Sequence, residues 1–442
     1  MFGPESAVAA DIAAPTAEAR KQLRIEWIVR GRWQDCAPRT LLLEVIGAAS
    51  NDVLFALRID TVASDALAVH HSVRTQMLHW FIPVLSAYDG PDAAAGHHLH
   101  PAAVARDLAA FDIYQRARYL LKQRSQGLLP RAIEYLQTAV RADPRFAAAW
   151  TELAGAYVRR RQLVFDTAER DPGPAKHAAE RAIELDPNAG AAYAILAALA
   201  YVADFDWFAA ACLFERALAA TPRDASVRSA FATFLMYSGR FDESLREYDV
   251  VQALDPLDPA IRCQKGALYF YWRRFDRAET LLAQAIEMNP EDVYARLLLA
   301  DAYAQSGRFE ECLDASSRLV ATAPDYANSY VYQARALMLL KREEEAAAIM
   351  RPARARFGRA AITEYEDAML HIACGDVEST FACLERHALR RANGAHCIVI
   401  DPTFDLLHDD SRWPAMVERI GLPYFAGAPS RASYAAMALN AT

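Results

Sequence analysis

The chain has 442 residues, enough for more than one domain, with 24% charged residues and a formal net charge of −8. That acidic balance excludes a general nucleic-acid surface, which needs a basic stripe to neutralise phosphates. No apolar run reaches the ~18–20 residues of a membrane span, so neither nucleic acid nor a membrane is an expected partner.

Residues 1–20 are rich in Ala, Pro and Glu without the basic-then-apolar order of a secretion signal. They are expected to be a disordered lead. Three β-rich runs follow, over 24–33, 40–47 and 53–60. In the third, Val53, Phe55, Leu57 and Ile59 alternate with Leu54, Ala56 and Arg58, which gives one strongly apolar sheet face. Val69, Val73, Met77, Trp80 and Val84 then recur at helical spacing and could cover that face. The order predicts a small α/β (β-β-β-α) domain over 21–88, with a linker over 89–104. His97-His98-Leu99-His100 in that linker has metal-gripping residue types. Neither a cysteine nor a clustered carboxylate completes a site, so no metal or cofactor is expected.

From residue 105 the texture changes. Ala198, Ala232, Gly266, Ala300, Ala334 and Ala368 are small residues at a step of 34. Ala210, Ser244, Ala278, Cys312, Ala346 and Thr380 keep the same step. So do Pro222, Pro256, Pro290 and Pro324, with Pro144 and Pro187 upstream at wider spacing. A 34-residue period is that of the tetratricopeptide (TPR) repeat, in which antiparallel helix pairs stack on one another. The two small rows belong to the first and second helix of each pair, where the axes approach within about 8–10 Å and leave no room for a larger side chain. The proline row ends each pair, since proline cannot continue a helix. Gly239, Gly307 and Gly375 mark the turns between helices.

These anchors give eight units. The first spans 113–146. The second, from Ala147, carries about nine extra residues around 158–174, and the third, from Ala191, carries a Phe-Asp-Trp insertion at 205–207. The others begin near Ala225, Pro259, Val293, Ala327 and Ala361, the last closing the stack as a divergent cap. The predicted fold is mainly α, a TPR-type α-solenoid over 105–424 with a C-terminal cap, then a flexible tail over 425–442.

A resemblance rests on three flanking segments. The first is Ile25-Glu26-Trp27-Ile28-Val29-Arg30-Gly31 with Leu54-Phe55-Ala56-Leu57-Arg58-Ile59-Asp60. The second is the junction Ala110-Phe111-Asp112-Ile113-Tyr114, and the third the ending Asp401-Pro402-Thr403-Phe404-Asp405-Leu406-Leu407 with Asp410-Ser411-Arg412-Trp413. Together they resemble the partial TolB-amino-terminal-like domain and TPR array of bacterial winged-helix transcriptional regulators and nucleotide cyclases. On this resemblance the opening strand and helix of that domain, and the upstream DNA-binding or cyclase domain, are expected to be missing. The resemblance implies a cytoplasmic effector module in signalling or transcriptional regulation. The alternative it leaves is an accessory or docking subunit of an enzyme such as a cyclase.

No phosphate-binding glycine loop, H-E-x-x-H or G-x-S-x-G is present, so no enzyme activity is expected. His371 and Cys374 have no third orienting group, and packing accounts for them. The seven cysteines include no C-x-x-C pair, which suits buried thiols in a reducing compartment. What remains is a binding surface. Counting template positions along the first helix of each pair places Met236, Tyr237, Phe270, Tyr271, Tyr294, Arg335 and Met338 along one concave strip. Such an apolar, methionine-containing lining suits a protein partner, peptide or apolar ligand, and self-association through the sheet edge is a further possibility. On this reading Tyr271→Ala with Tyr294→Ala abolishes partner capture at an unchanged melting temperature. The alternative is that a segment of the chain itself fills part of the strip.

Overall fold

The computed structural model describes residues 27–34, 39–47, 53–61, 108–122, 126–163, 171–256, 258–392 and 394–421. The expected lead, the helix over 69–84, the histidine-bearing linker and the tail lie outside the described residues. By internal contacts the chain divides into two compact units, residues 2–153 with 181–187, and residues 154–180 with 188–442.

Strands β1 (Trp27–Gln34), β2 (Arg39–Gly47) and β3 (Val53–Thr61) form an antiparallel sheet in the order β1-β2-β3. Trp33 stands opposite Leu41, and Leu43 opposite Leu57, with a register shift between Val45 and Ile46. These strands lie on the three β-rich runs of the sequence, and the helix expected to cover them falls outside the described residues.

Helices follow: α1 (Leu108–Lys122) pairs with α2 (Leu129–Ala142), then come α3 (Ala147–Leu163) and α4 (Gly173–Leu185), and α5 (Gly190–Leu199) pairs with α6 (Trp207–Ala220). The series continues with α7 (Ala225–Tyr237) and α8 (Phe241–Leu254), α9 (Pro259–Tyr271) and α10 (Phe275–Met288), α11 (Val293–Gln305) and α12 (Phe309–Thr322). It ends with α13 (Ala327–Leu339) and α14 (Glu343–Ala361), then α15 (Glu364–Ala373) and α16 (Val377–Leu389). A short α17 (Trp413–Ile420) follows two 3₁₀ turns, Ala395–Cys397 and Pro402–Leu407. In the first unit of the chain Tyr114 of α1 packs edge-on against Phe146 at 4.8 Å, and Ile133, Leu136 and Ala139 of α2 are buried.

Each feature of the 34-residue pattern has a physical counterpart. Ala232, Ala300, Ala334 and Ala368 are fully buried, as are Ala210, Ser244, Ala278, Ala346 and Thr380. The two rows meet: the Ser244 hydroxyl donates to the Ala232 carbonyl at 2.7 Å. A β-carbon at Gly266 would lie 2.7 Å from the Leu282 side chain. Ala300→Leu is accordingly expected to cost ~1–3 kcal/mol by overpacking. Glu243→Leu, which only removes a surface pair with Arg240, should stay within about 1 kcal/mol. Equal shifts in thermal melts at the two sites would contradict this register.

Asp206, Asp224, Asp258, Asp292 and Asp376 cap their helices through side-chain carboxylates, which satisfies otherwise orphaned N–H groups. The proline carbonyl is used as well. Trp150, Arg228 and Tyr330, each six residues on, donate to the carbonyls of Pro144, Pro222 and Pro324.

The turn between paired helices needs a left-handed residue. Gly239, Gly307 and Gly375 supply it at φ 73–77°, but Arg273 and Lys341 hold the equivalent places at φ 59° and 63°. A side chain there costs roughly 1–2 kcal/mol relative to glycine. Lys341 is exposed, so Lys341→Gly should stabilise by about 0.5–1 kcal/mol. Arg273 donates to Ile400 and Asp405, so Arg273→Gly should destabilise by a net ~1–2 kcal/mol despite relieving the same conformation. Chemical denaturation midpoints of opposite sign are the expected result.

Candidate functional site along the inner helices

The strip predicted from the repeat positions is built by the first helix of successive pairs, α5, α7, α9, α11, α13 and α15. Residues 394–407 of the same chain are seated on it. The segment leaves α16 at Gly394, which holds φ 89°, and touches these helices in turn.

His396 lies edge-on to Tyr201 at 5.6 Å and to Tyr237 at 4.7 Å. Cys397 and Ile400 enter the core cluster that contains Met236, Phe270 and Tyr271. Arg273 donates to the Ile400 carbonyl at 2.8 Å and to Asp405 at 2.5 and 3.2 Å. The Thr403 hydroxyl accepts from Arg335 at 3.3 Å and from Gln305 at 3.5 Å. Tyr365 donates to Asp401, and its ring meets Phe404 edge-on at 5.4 Å. Asp401 in turn caps the 3₁₀ turn, accepting from the Thr403 N–H at 2.8 Å.

The Phe-Asp-Trp insertion belongs to the same seat. A π turn over Ala200–Asp204 ends at Phe205 in a left-handed conformation, Asp206 caps α6, and the Trp207 indole donates to the Ile420 carbonyl at 2.9 Å. The segment returns the contact: Arg391 donates to the Asp204 carbonyl at 2.9 Å, and a β-carbon on Gly421 would lie 2.8 Å from the Phe205 carbonyl.

Magnitudes decide what kind of contact this is. Ile398, Val399, Ile400, Phe404, Leu407, Trp413 and Ile420 are all at most 5% exposed. At ~1.5–3 kcal/mol per buried side chain, they contribute on the order of 10–20 kcal/mol, comparable with the net stability of a whole domain, about 5–15 kcal/mol. The segment is part of the core.

At its centre lies a charged group. Arg335 and Asp301, one repeat apart, form an ion pair with side chains only 5% and 6% exposed. Tyr332 donates to the second Asp301 oxygen at 2.8 Å. Burial outweighs the adjacent guanidinium and pushes the Asp301 carboxyl up to about 6, with nearby Asp401 acting in the same direction. Arg335 Nε is buried without a hydrogen-bond partner among the described residues.

The predicted strip residues thus fall into two sets. Met236, Phe270, Tyr271 and Arg335 are 1–6% exposed and, as seated here, face the interior of the chain. Tyr237 and Met338 are half-buried. Tyr294 is 44% exposed while its hydroxyl end turns inward toward Tyr271. An open strip of all seven is therefore corrected: four are floor beneath the segment, because burying its apolar run is worth more than leaving the strip to solvent. Asp301, Tyr332, Tyr365 and Arg273 were not among the seven predicted strip residues, and Asp401 and Thr403 stood out only in the ending that carries the family resemblance. Opposite charges at Asp301 and Arg335, one repeat apart on an apolar strip, were the available signal. Cys374 is exposed at the end of α15, so the packing assigned to it does not hold, and His371 pairs with Asp376 at 3.5 Å. Among the described residues no group of three His, Cys, Asp or Glu could hold a metal.

Tetratricopeptide-repeat family models match residues 114–164 and 273–336. The transcriptional regulator HilA of Salmonella typhimurium is 25% identical over 182 residues, 40% of this chain and 33% of HilA, and HilA of Salmonella typhi matches equally. The matched region spans about a third of the length of these relatives. Among solved structures, a human IFIT1 dimer with PPP-AAAA superposes with a TM-score of 0.50 at 17% identity, covering 63% of this chain and 71% of that one. Pseudomonas aeruginosa PilF gives 0.37 at 19% identity over 48% and 91%. The chain carries tetratricopeptide repeats in a mainly helical fold.

Proposed function

We propose that the chain is a non-catalytic interaction module that holds a protein partner in bacterial transcriptional regulation, acting in the cytoplasm. The observation that carries the reading is the unbroken 34-residue register of α5 to α16, a construction that buries its core between neighbours and leaves an extended surface for binding. The similarity to HilA favours a regulator over a cyclase subunit. Among the described residues no helix is long and apolar enough to cross a membrane. The three-stranded sheet, as half of a two-layer domain preceding the repeats, is part of the same reading.

In this proposal the partner meets the strip where it is still open, at Tyr294 and Met338, while Met236, Phe270, Tyr271 and Arg335 form the floor below and His396 covers Tyr237. Aromatic residues at the centre of an interface commonly contribute about 2 kcal/mol or more each. Purification from the native host of wild type against Tyr294→Ala with Met338→Ala tests it. A partner retained by the wild type should be lost from the double variant while the protein stays folded at the assay temperature, with its melting temperature only modestly lowered because Met338 packs against the core. Equal recovery from both would move the partner to another surface.

A further inference from the structure

Two imidazoles sit at the two ends of the seated segment, each packed where a proton is costly. His396 is 7% exposed between the rings of Tyr201 and Tyr237, and its Nδ1 has no hydrogen-bond partner among the described residues. The charged or chargeable groups acting on it are Arg161 of α3 and His387 of α16, both cation-forming. His408 has a side chain 5% exposed, 4.5 Å from the Trp413 ring. It faces Arg273 from the turn between α9 and α10, with Asp405 at 3.7 Å and Asp409 on its own segment.

We propose that residues 394–413 form an acid-sensitive clasp, whose seat on the inner helices weakens as His396 and His408 take up protons. A proton on His396 adds a cation to a dry aromatic box already beside Arg161, and one on His408 adds a cation beside Arg273. Both protons are far easier to accommodate once the segment has lifted into water.

Burial, Arg161 and His387 hold His396 down at about 3. Burial and Arg273 bring His408 down to about 4, against a smaller upward push from Asp409. Both lie below the ordinary histidine value of about 6.5, so the lifted state binds more protons across the interval between. The clasp is therefore held fully above about pH 6.5 and loses hold as pH falls toward 4. Asp301 opposes this, because its carboxyl, raised to about 6, takes its proton more readily in the seated state. From pH 7.5 to 5.0 each histidine favours lifting about 30-fold and Asp301 favours seating about 10-fold, a net change on the order of 10²-fold. Most molecules stay closed at pH 5, and what rises is the fraction open at any moment. The clasp requires only that the segment be seated and is independent of which partner the repeats hold.

Hydrogen exchange of the full chain at pH 7.5 and 5.0, corrected for the intrinsic pH dependence of exchange, measures this opening directly. The amides of Ile400 and Asp401, both bonded to the Cys397 carbonyl, report the clasp, and those of α10 report the repeats. The expected result is an opening about 10²-fold more frequent at pH 5.0 for the segment, against a few-fold change in α10. His396→Phe keeps a ring in the aromatic box and should cut the rise to about 3-fold. His408→Gln should do the same independently. Unchanged opening in the wild type, segment and α10 opening in step, or the full rise persisting in both variants would each overturn the clasp.

Discussion

Arg335→Met is expected to destabilise the protein by about 3–5 kcal/mol, among the largest effects of any single change in the repeats. Removing the guanidinium leaves the Asp301 carboxylate, 5% exposed, without its counter-charge in a place water does not reach. It also removes a donor to the Thr403 hydroxyl on the seated segment. Asp301→Leu should cost a similar amount by stranding Arg335. The double variant should recover most of the loss, since a buried ion pair replaced by apolar residues of similar volume is often near neutral. About 1–2 kcal/mol should persist, because the Tyr332 hydroxyl then lacks its acceptor. Urea denaturation of the four proteins measures the cycle. Additive losses would mean that the two side chains act separately.

Tyr271→Ala should cost about 3–5 kcal/mol, whereas Tyr294→Ala should cost under about 1 kcal/mol. The two tyrosines hold different template positions on neighbouring inner helices, and their sequence context does not separate them. Tyr271 is 6% exposed and packs against Tyr237 at 5.8 Å and Phe270 at 5.3 Å, while Tyr294 is 44% exposed. The expectation that Tyr271→Ala leaves the melting temperature unchanged is corrected for that reason. A calorimetric scan of each single variant checks the difference, and similar shifts in both would place the tyrosines in similar surroundings.

The repeats were legible because their physics recurs. A small residue at each helix contact, a proline after each pair and a glycine at each turn must return every 34 residues, and three rows in phase leave little freedom. Arg273 and Lys341 break the glycine row only locally, since a left-handed residue can be forced where a neighbour compensates. The seating of residues 394–407 on the strip was not legible, although 401–407 belong to the ending that carries the family resemblance. They have no period, and their partners come from the π turn, five helices and one interhelical turn spread over some 160 positions, so no local pattern shows where they sit. The Cys397-Ile398-Val399-Ile400 run looks like an ordinary buried stretch, and Asp401-Pro402-Thr403-Phe404 looks like a turn. The seven strip residues lie on the first helices of their pairs, but template position does not tell an open strip from one the chain fills itself.

That filled strip is the centre of the account, and thiol accessibility tests it most directly. Cys212 and Cys374 are exposed, whereas Cys397, on the seated segment, is buried and its thiol is pushed up to about 12. A buried, protonated thiol is a poor nucleophile. Native protein treated with a thiol-reactive maleimide at pH 7.5 and read peptide by peptide should show Cys212 and Cys374 modified within minutes. Cys397 should stay protected until denaturant is added. Modification of Cys397 in the native protein as fast as Cys212 would contradict a segment seated along the inner helices.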